Sequence, residues 1–428
     1  MNQTIDKNSV NELLSSFSRK ERFALNRTPQ QRDQHLLRVF RFQWIGFFLL
    51  LGISLFLFWQ FGVEFTVQHP FLLVIIVLVA TGRHIWQMFS LWGGKVYRLE
   101  NASRRIRGSL TPKRVSSLID NVRERFGGIE KPNVYIAVDK QANAWSINSM
   151  FFNFIPRYNA VFLNSYLSKA LSAKEQEAIL VHELAHFYRY IGPLGRNVWL
   201  SVVMAVAASI TVLTWEPDLT NPVATLMVVW WAPLPFQWVF NIMASIGRHD
   251  LEYACDVVAA EVVGAEAMTN ALLKIGDRAE VYELVEQEME RQLEMDPKAR
   301  IEMITQTLLD RIPEKPVDLA EAKRALRLKP HAAPGGDRKK NKKFLEEVRK
   351  NHKLRMSLKV MPWSRFDTIY RDGWLDRAEL SQYVRSLASD QNAATHEVAS
   401  EHPAQEHLQT HPSMRHRIIY LYLHFLAV

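Results

Sequence analysis

The 428-residue sequence has a single cysteine, Cys255. One thiol forms no internal disulfide, so nothing in the chain calls for an oxidising compartment. The opening pattern of a secretory signal is missing as well. The first residues, about 40 of them, are polar and charged, with no short apolar run ending in a small-residue cleavage site. No nucleic-acid module signature accompanies the net charge of +9, and the basic residues flank apolar segments, which points to a membrane surface and away from RNA or DNA. Charge is also absent from long stretches. Gln43 to Phe61, "QWIGFFLLLGISLFLFWQF", carries none and is long enough to cross ~30 Å of hydrocarbon.

Three further stretches share that character. Phe71 to Trp92 is apolar as far as Gly82 and then meets Arg83 and His84. Asn197 to Thr214 reads "NVWLSVVMAVAASITVLT". Pro222 to Ile246 is interrupted by Pro233 and Pro235, which a kinked membrane helix tolerates. The alternative for the last two is a buried hairpin of a soluble domain. Basic residues crowd the ends that face away from the turns: Arg19 to Arg41 before the first stretch, Lys95 to Arg114 after the second. The turns "GVEFTVQHP" and "WEPDLTNP" contain no Lys or Arg. The positive-inside bias then places both termini in the cytoplasm. A transporter would need polar groups inside the spans, and beyond Arg83, His84 and Gln237 there are few.

Between the second and third stretches the periodicity changes. Residues 112–126 read as an amphipathic helix ending at Gly127-Gly128, and residues 132–138, 143–147 and 159–164 as strands. Ser172 and Glu175 form a capping box for a helix running to about Tyr190. After the fourth stretch, residues 251–274 and 279–311 have a helical period, and "KPHAAPGGDRKKNKK", 329–343, reads as a solvated basic linker. Residues 367–380 hint at a calcium loop, but Thr368 and Tyr370 fall at the first two ligand positions. We read a helix–turn–helix corner there.

The helix after Ser172 contains "EAILVHELAHFYRY", 177–190. Residues four apart on an α-helix differ by roughly 40° around its axis, so His182 and His186 project from one face and can reach one tetrahedral zinc ion. Glu183, rotated by about 100°, is placed as a general base and not as a ligand. A chain with 14 histidines can meet this pattern by accident, so a third ligand is required. "GRHDLEYACDVVAAE", 247–261, offers Glu252 as that ligand, with Asp256 one turn on to hydrogen-bond a ligating histidine. His249 and Asp250 are competitors that do not share the Glu252–Asp256 face. Cys255 reads as packed beside the site and not as a ligand.

This arrangement resembles the integral-membrane zinc metallopeptidases of the HtpX and CAAX-prenyl-protease kind, which carry H-E-x-x-H and, after a transmembrane hairpin, E-x-x-x-D. The resemblance extends to "GGKVYRL" at 93–99, to "NAW" at 143–145 and to "THPSMRHRI" at 410–418. It implies a mainly α membrane protein: four transmembrane helices plus a cytoplasmic α+β zincin-like catalytic domain with a small sheet. The implied organisation is a basic segment (1–42), a first hairpin (43–92), a catalytic part with H-E-x-x-H (93–196), a second hairpin (197–246), a third-ligand helix (247–276), a charged helical insertion (277–400) and a catalytic C-terminus (401–428). One zinc per chain would be held by His182, His186 and Glu252. Glu183 would move the proton, Asn143, Ala144 and Trp145 would lie on a substrate-binding edge strand, His411 would stand near the substrate oxyanion, and Asp256 and Arg417 would be supporting residues. The implied substrates are polypeptides, membrane proteins among them, cut at the cytoplasmic face of a bacterial inner membrane in quality control or stress response. Prenylated peptides fit less well, since four spans are too few for the enclosed chamber of those enzymes. The other reading is a non-catalytic zinc-binding scaffold. An intact Glu183 argues against it.

Overall fold

The computed structural model describes residues 14–15, 19–90, 95–138, 144–148, 156–165, 167, 171–196, 199–216, 221–275, 374–389 and 414–427. Asn143, His411, Pro412, the helices expected over 279–311 and the linker 329–343 lie outside these. The described residues form two compact units. Arg19–Met268 is the first, and those from Thr269 onward belong, with 14–15, to the second.

The first unit opens with α1 (Arg19–Asn26) and α2 (Pro29–Leu57). Thr28 and Gln31 form a capping box that starts α2, with Pro29 at a position where its missing N–H costs nothing. The helix does not begin at Gln43, where the apolar stretch does, nor end at Phe61. It passes through a π turn (Phe58–Gly62) into a further helix, Val63–Gln68. The stretch expected to be a turn is therefore largely helical. Its polar side chains are satisfied locally, Gln68 donating to Glu64 at 3.0 Å and Thr66 to the Gly62 carbonyl at 2.5 Å. Next come α3 (Pro70–Ser90), β1 (Lys95–Arg98), α4 (Pro112–Phe126), β2 (Asn133–Val138), β3 (Ala144–Asn148), β4 (Asn159–Asn164) and α5 (Ala173–Ala185), which continues as a π turn over His186–Tyr190. Then follow α6 (Trp199–Trp215), α7 (Pro222–Trp231), α8 (Leu234–Ser245) and α9 (Arg248–Val262).

Two helical stretches are long and apolar enough to cross a membrane, Pro29–Gln68 and Val223–Ser245. Pro70–Gly82 and Trp199–Trp215 are shorter apolar helices. Only 28% and 22% of the most apolar parts of the two long stretches are buried. Ile45, Phe48, Trp59 and Trp238 are each more than half exposed. Left in water, each such side chain would forgo roughly 1.5–3 kcal/mol of burial, whereas Trp199–Trp215 buries Leu200, Met204, Ile210 and Leu213. The fourth stretch is a single candidate span that breaks at Ala232–Pro233 into two consecutive helices, as its prolines suggest. Pro233 is the N-cap of α8 and Pro235 sits in its first turn, where neither interrupts a helical hydrogen bond. The four apolar segments pack through two clusters, one around Phe47, Leu50, Leu200 and Met204, the other around Phe65, Ile76, Ile210 and Val228.

The sheet has the order β1-β2-β4-β3. β2 and β4 are parallel, and the outer pairings are antiparallel. β1 is a strand that the periodicity does not reveal. β3 pairs with β4 alone among the described residues and so forms a sheet edge. Trp145, Phe162 and Tyr135 stack across β3, β4 and β2, with successive ring centroids 5.1 and 5.3 Å apart. α5 packs between α4, the sheet and α9. α4 turns Val115, Leu118, Ile119 and Val122 inward and ends at Gly127 in the left-handed conformation (φ 64°), where a side chain would be strained.

In the second unit, α10 (Arg377–Ser389) follows Asp376. The Asp376 carboxylate accepts from the Ala378 and Glu379 amides at 2.8 and 2.9 Å and so caps this helix, while most of the 367–380 stretch lies outside the described residues. Asn270 grips the Leu375 backbone through both its amide atoms, at 2.9 Å each. The chain ends in α11 (Met414–Leu421) and a π turn (Tyr422–Leu426).

Candidate metal centre

α5 starts where its capping box dictates. The Ser172 hydroxyl accepts from the Glu175 amide at 3.4 Å, and the Glu175 carboxylate accepts from the Ser172 amide at 2.6 Å. Ten residues after Ser172, the helix has brought His182 to the face that meets α9. His182, Glu183, Glu252 and Asp256 are buried, and His186 is partly exposed.

Three donors converge. His182 Nε2 and His186 Nε2 are 3.2 Å apart. Glu252 places Oε2 3.4 Å from His182 Nε2 and Oε1 3.3 Å from His186 Nε2. Four ligands at about 2.0–2.1 Å around a tetrahedral zinc ion stand about 3.3–3.4 Å from one another. Each histidine is thus one ligand-to-ligand distance from a Glu252 oxygen, and one donor atom from each of the three residues lies within 4.8 Å of the others, so these three could hold a metal ion. The far side of His182 supports this. Its Nδ1 is 2.8 Å from Asp256 Oδ1, and Asp256 is wholly buried. A proton on Nδ1, shared with that carboxylate, leaves the Nε2 lone pair facing Glu252 and His186.

Asp250 is engaged elsewhere. It pairs with Arg32, and its Oδ2 lies 3.1 Å from Arg27 Nη1 and 2.9 Å from His35 Nδ1. This answers its candidacy as a ligand, since three basic side chains already surround it. Cys255 is buried and is not among the three converging donors. Beyond His186, the π turn carries Tyr188 and Tyr190. Burial pushes both phenols well above their usual range. For Tyr190 the neighbouring Asp33 carboxylate, which accepts its hydroxyl at 3.1 Å, adds to the effect. The edge strand is tied to the same turn, Asn148 Nδ2 donating to the Phe187 carbonyl at 2.9 Å. Ala144 and Trp145 lie on that strand. Arg417 is buried in the second unit, with Nη1 3.9 Å from Met414 Sδ. Sequence reasoning misses the Arg32–Asp250 cluster and the Asp33 contacts, since the basic residues before Gln43 register there only as an orientation signal.

A His-Glu-x-x-His helix, a carboxylate from a second helix and a sheet-edge strand beside them, joined to long apolar helices, are the parts of a membrane-associated metallopeptidase. The sequence model of Peptidase family M48 matches residues 109–422, most of the chain, and the chain belongs to that family. It is similar to a protein described as Protease HtpX homolog from Gemmatimonas aurantiaca, 25% identical over 214 residues that cover 47% of this chain and 70% of the relative. A Protease HtpX homolog from Thermoanaerobacter pseudethanolicus is 27% identical over 104 residues, 24% of this chain and 29% of that one. No solved structure matches.

Proposed function

We propose that this protein is an integral-membrane zinc endopeptidase that cuts polypeptides, membrane proteins among them, at the cytoplasmic face in quality control or stress response. The observation that carries the reading is the convergence of His182, His186 and Glu252, one donor atom from each lying within 4.8 Å of the others, with Asp256 beside His182. When bound, zinc supplies Lewis acidity, which acidifies water and polarises a carbonyl oxygen. The chain does the rest. Asp256 holds the His182 tautomer. Glu183, buried on the ligand helix, accepts a proton from the attacking water and returns it to the departing amine. The β3 edge receives the substrate as an added strand, its main chain paired from Asn143 to Trp145. His411, near the oxyanion, and Arg417, as a buried support, take their roles from the resemblance alone.

Four spans are the topology that fits the four apolar segments, with the shorter two, Pro70–Gly82 and Trp199–Trp215, packed against the longer pair. The Lys and Arg balance supports cytoplasmic termini and a cytoplasmic active site. The test is Glu183→Gln in the full-length protein. Cleavage of casein, or self-cleavage, should fall by about 10²–10⁴ while zinc content stays at one per chain. Unchanged cleavage with zinc retained refutes the peptidase reading.

A further inference from the structure

Two consecutive residues of α2 reach the two ligand helices with opposite charge. Arg32 is 1% exposed, stacks its guanidinium over the Tyr253 ring at 3.9 Å from the centroid, and pairs with Asp250, two residues ahead of Glu252. Its other terminal nitrogen donates to the Ala24 carbonyl, which brings the end of α1 into the same cluster. Asp33 turns to the other helix. It accepts from Arg189 Nη2 at 2.6 Å and from the Tyr190 hydroxyl at 3.1 Å, three and four residues beyond His186. Neighbouring helical residues point about 100° apart, so one turn of α2 spans from the end of the His182–His186 helix to the start of the Glu252 helix.

Arg27 and His35 add to the hold on Asp250, at 3.1 and 2.9 Å, and the apolar contacts beside them are less directional. Leu36 and Val39 lie against Gly247, and apolar surfaces of this kind tolerate small slides. Charged, hydrogen-bonded pairs do not. The metal triangle needs that restraint, because its third donor comes from a helix separated from the first two by the whole α6–α8 segment. We propose that the Arg32–Asp33 turn is a positioning device for the metal centre, setting the spacing between the two ligand helices from the segment just ahead of the first apolar stretch. This rests on the reading of His182, His186 and Glu252 as zinc ligands. Arg32 and Asp33 act at one remove from the ion and the substrate, through Asp250 and through Arg189 and Tyr190.

The experiment measures zinc affinity of the full-length, detergent-solubilised protein by competition with a chromogenic chelator. The variants are Arg32→Gln, Asp33→Asn and the charge exchange Asp33→Arg with Arg189→Asp, each with the thermal midpoint of its metal-free form. Arg32→Gln and Asp33→Asn should each weaken zinc binding by up to about 10-fold, at or below the range that loss of a direct partner of a ligand costs. The charge exchange should restore most of it, which a general loss of stability would not do. The Asp33–Arg189 pair is about one-third exposed, so Asp33→Asn remains decisive even where Arg32→Gln fails to fold. Wild-type affinity in Asp33→Asn overturns the proposal. So does weakened affinity that tracks the metal-free midpoint and is not restored by the exchange. A wild-type chain that takes up no zinc overturns the ligand assignment itself, a separate and distinguishable result.

Discussion

The two ligand-bearing helices begin in opposite ways. α5 carries its own start signal within four residues, the reciprocal hydrogen bonds of Ser172 and Glu175, and adds a bidentate surface pair between Glu177 and Arg114 at 2.8 Å. α9 has no side-chain cap. It starts at Gly247, in the left-handed region at φ 81°, directly after α8. Its first turn is held from a distance, by Leu36 and Val39 against Gly247 and by the basic cluster on Asp250. A helix with local signals can be placed by its own sequence. One without them takes its position from whatever packs on it, here α5 along its length and the N-terminal α2 at its start.

Perturbing each helix in turn breaks or sharpens this contrast. The largest effect is expected from Glu252→Ala, which removes the donor contributed by α9. Zinc content should collapse and affinity should fall by more than the roughly 10–100-fold that an outer partner costs, measured by metal analysis after chelator challenge. Asp256→Asn comes next. It keeps the shape but weakens the hold on His182 Nδ1, and zinc affinity should drop within that 10–100-fold range. Gly247→Ala should be milder. A left-handed backbone costs a side-chain-bearing residue about 1–2 kcal/mol, and the added carbon would stand 3.1 Å from Val39, so the thermal midpoint and zinc affinity should decline together. Ser172→Ala should be smallest, about 1 kcal/mol in stability, with zinc affinity little changed. If Ser172→Ala harms zinc binding as much as Gly247→Ala does, the contrast between a locally and a remotely placed helix is wrong.

The same contrast explains what can be read from the sequence. α4, α5 and strands β2 to β4 follow from periodicity, capping residues and Gly127, all local signals. The spacing of His182, His186, Glu252 and Asp256 puts forward four residues that do lie together, because each pair shares a helix face and only the docking of two helices has to be supplied. β1 escapes notice because four residues beside an apolar stretch show no alternation. Its strand character comes from pairing with β2. The helix through Val63–Gln68 resembles a turn in sequence because its Glu and Gln are polar, whereas their hydrogen bonds run along the helix. Arg32 is hidden for a different reason. Counted with its basic neighbours it is one contribution to a charge bias, and only the tertiary structure separates a fully buried guanidinium from the exposed ones around it.

Gln43 sits in the seam between α2 and the end of α8, and its amide donates to the carbonyls of Met243 and Ile246 at 3.2 and 3.4 Å. The rest of that seam is apolar, with Gly46 close against Met243, and would hold nearly as well if the helices slid along each other. A slip of one turn is about 5.4 Å, enough to strand the amide and two carbonyls in a medium with little water to replace them. A single glutamine therefore acts as a depth stop. It resists a slide of α8 along α2, and since α9 follows α8 directly, that restraint adds to the basic cluster on Asp250 in setting the height at which Glu252 stands.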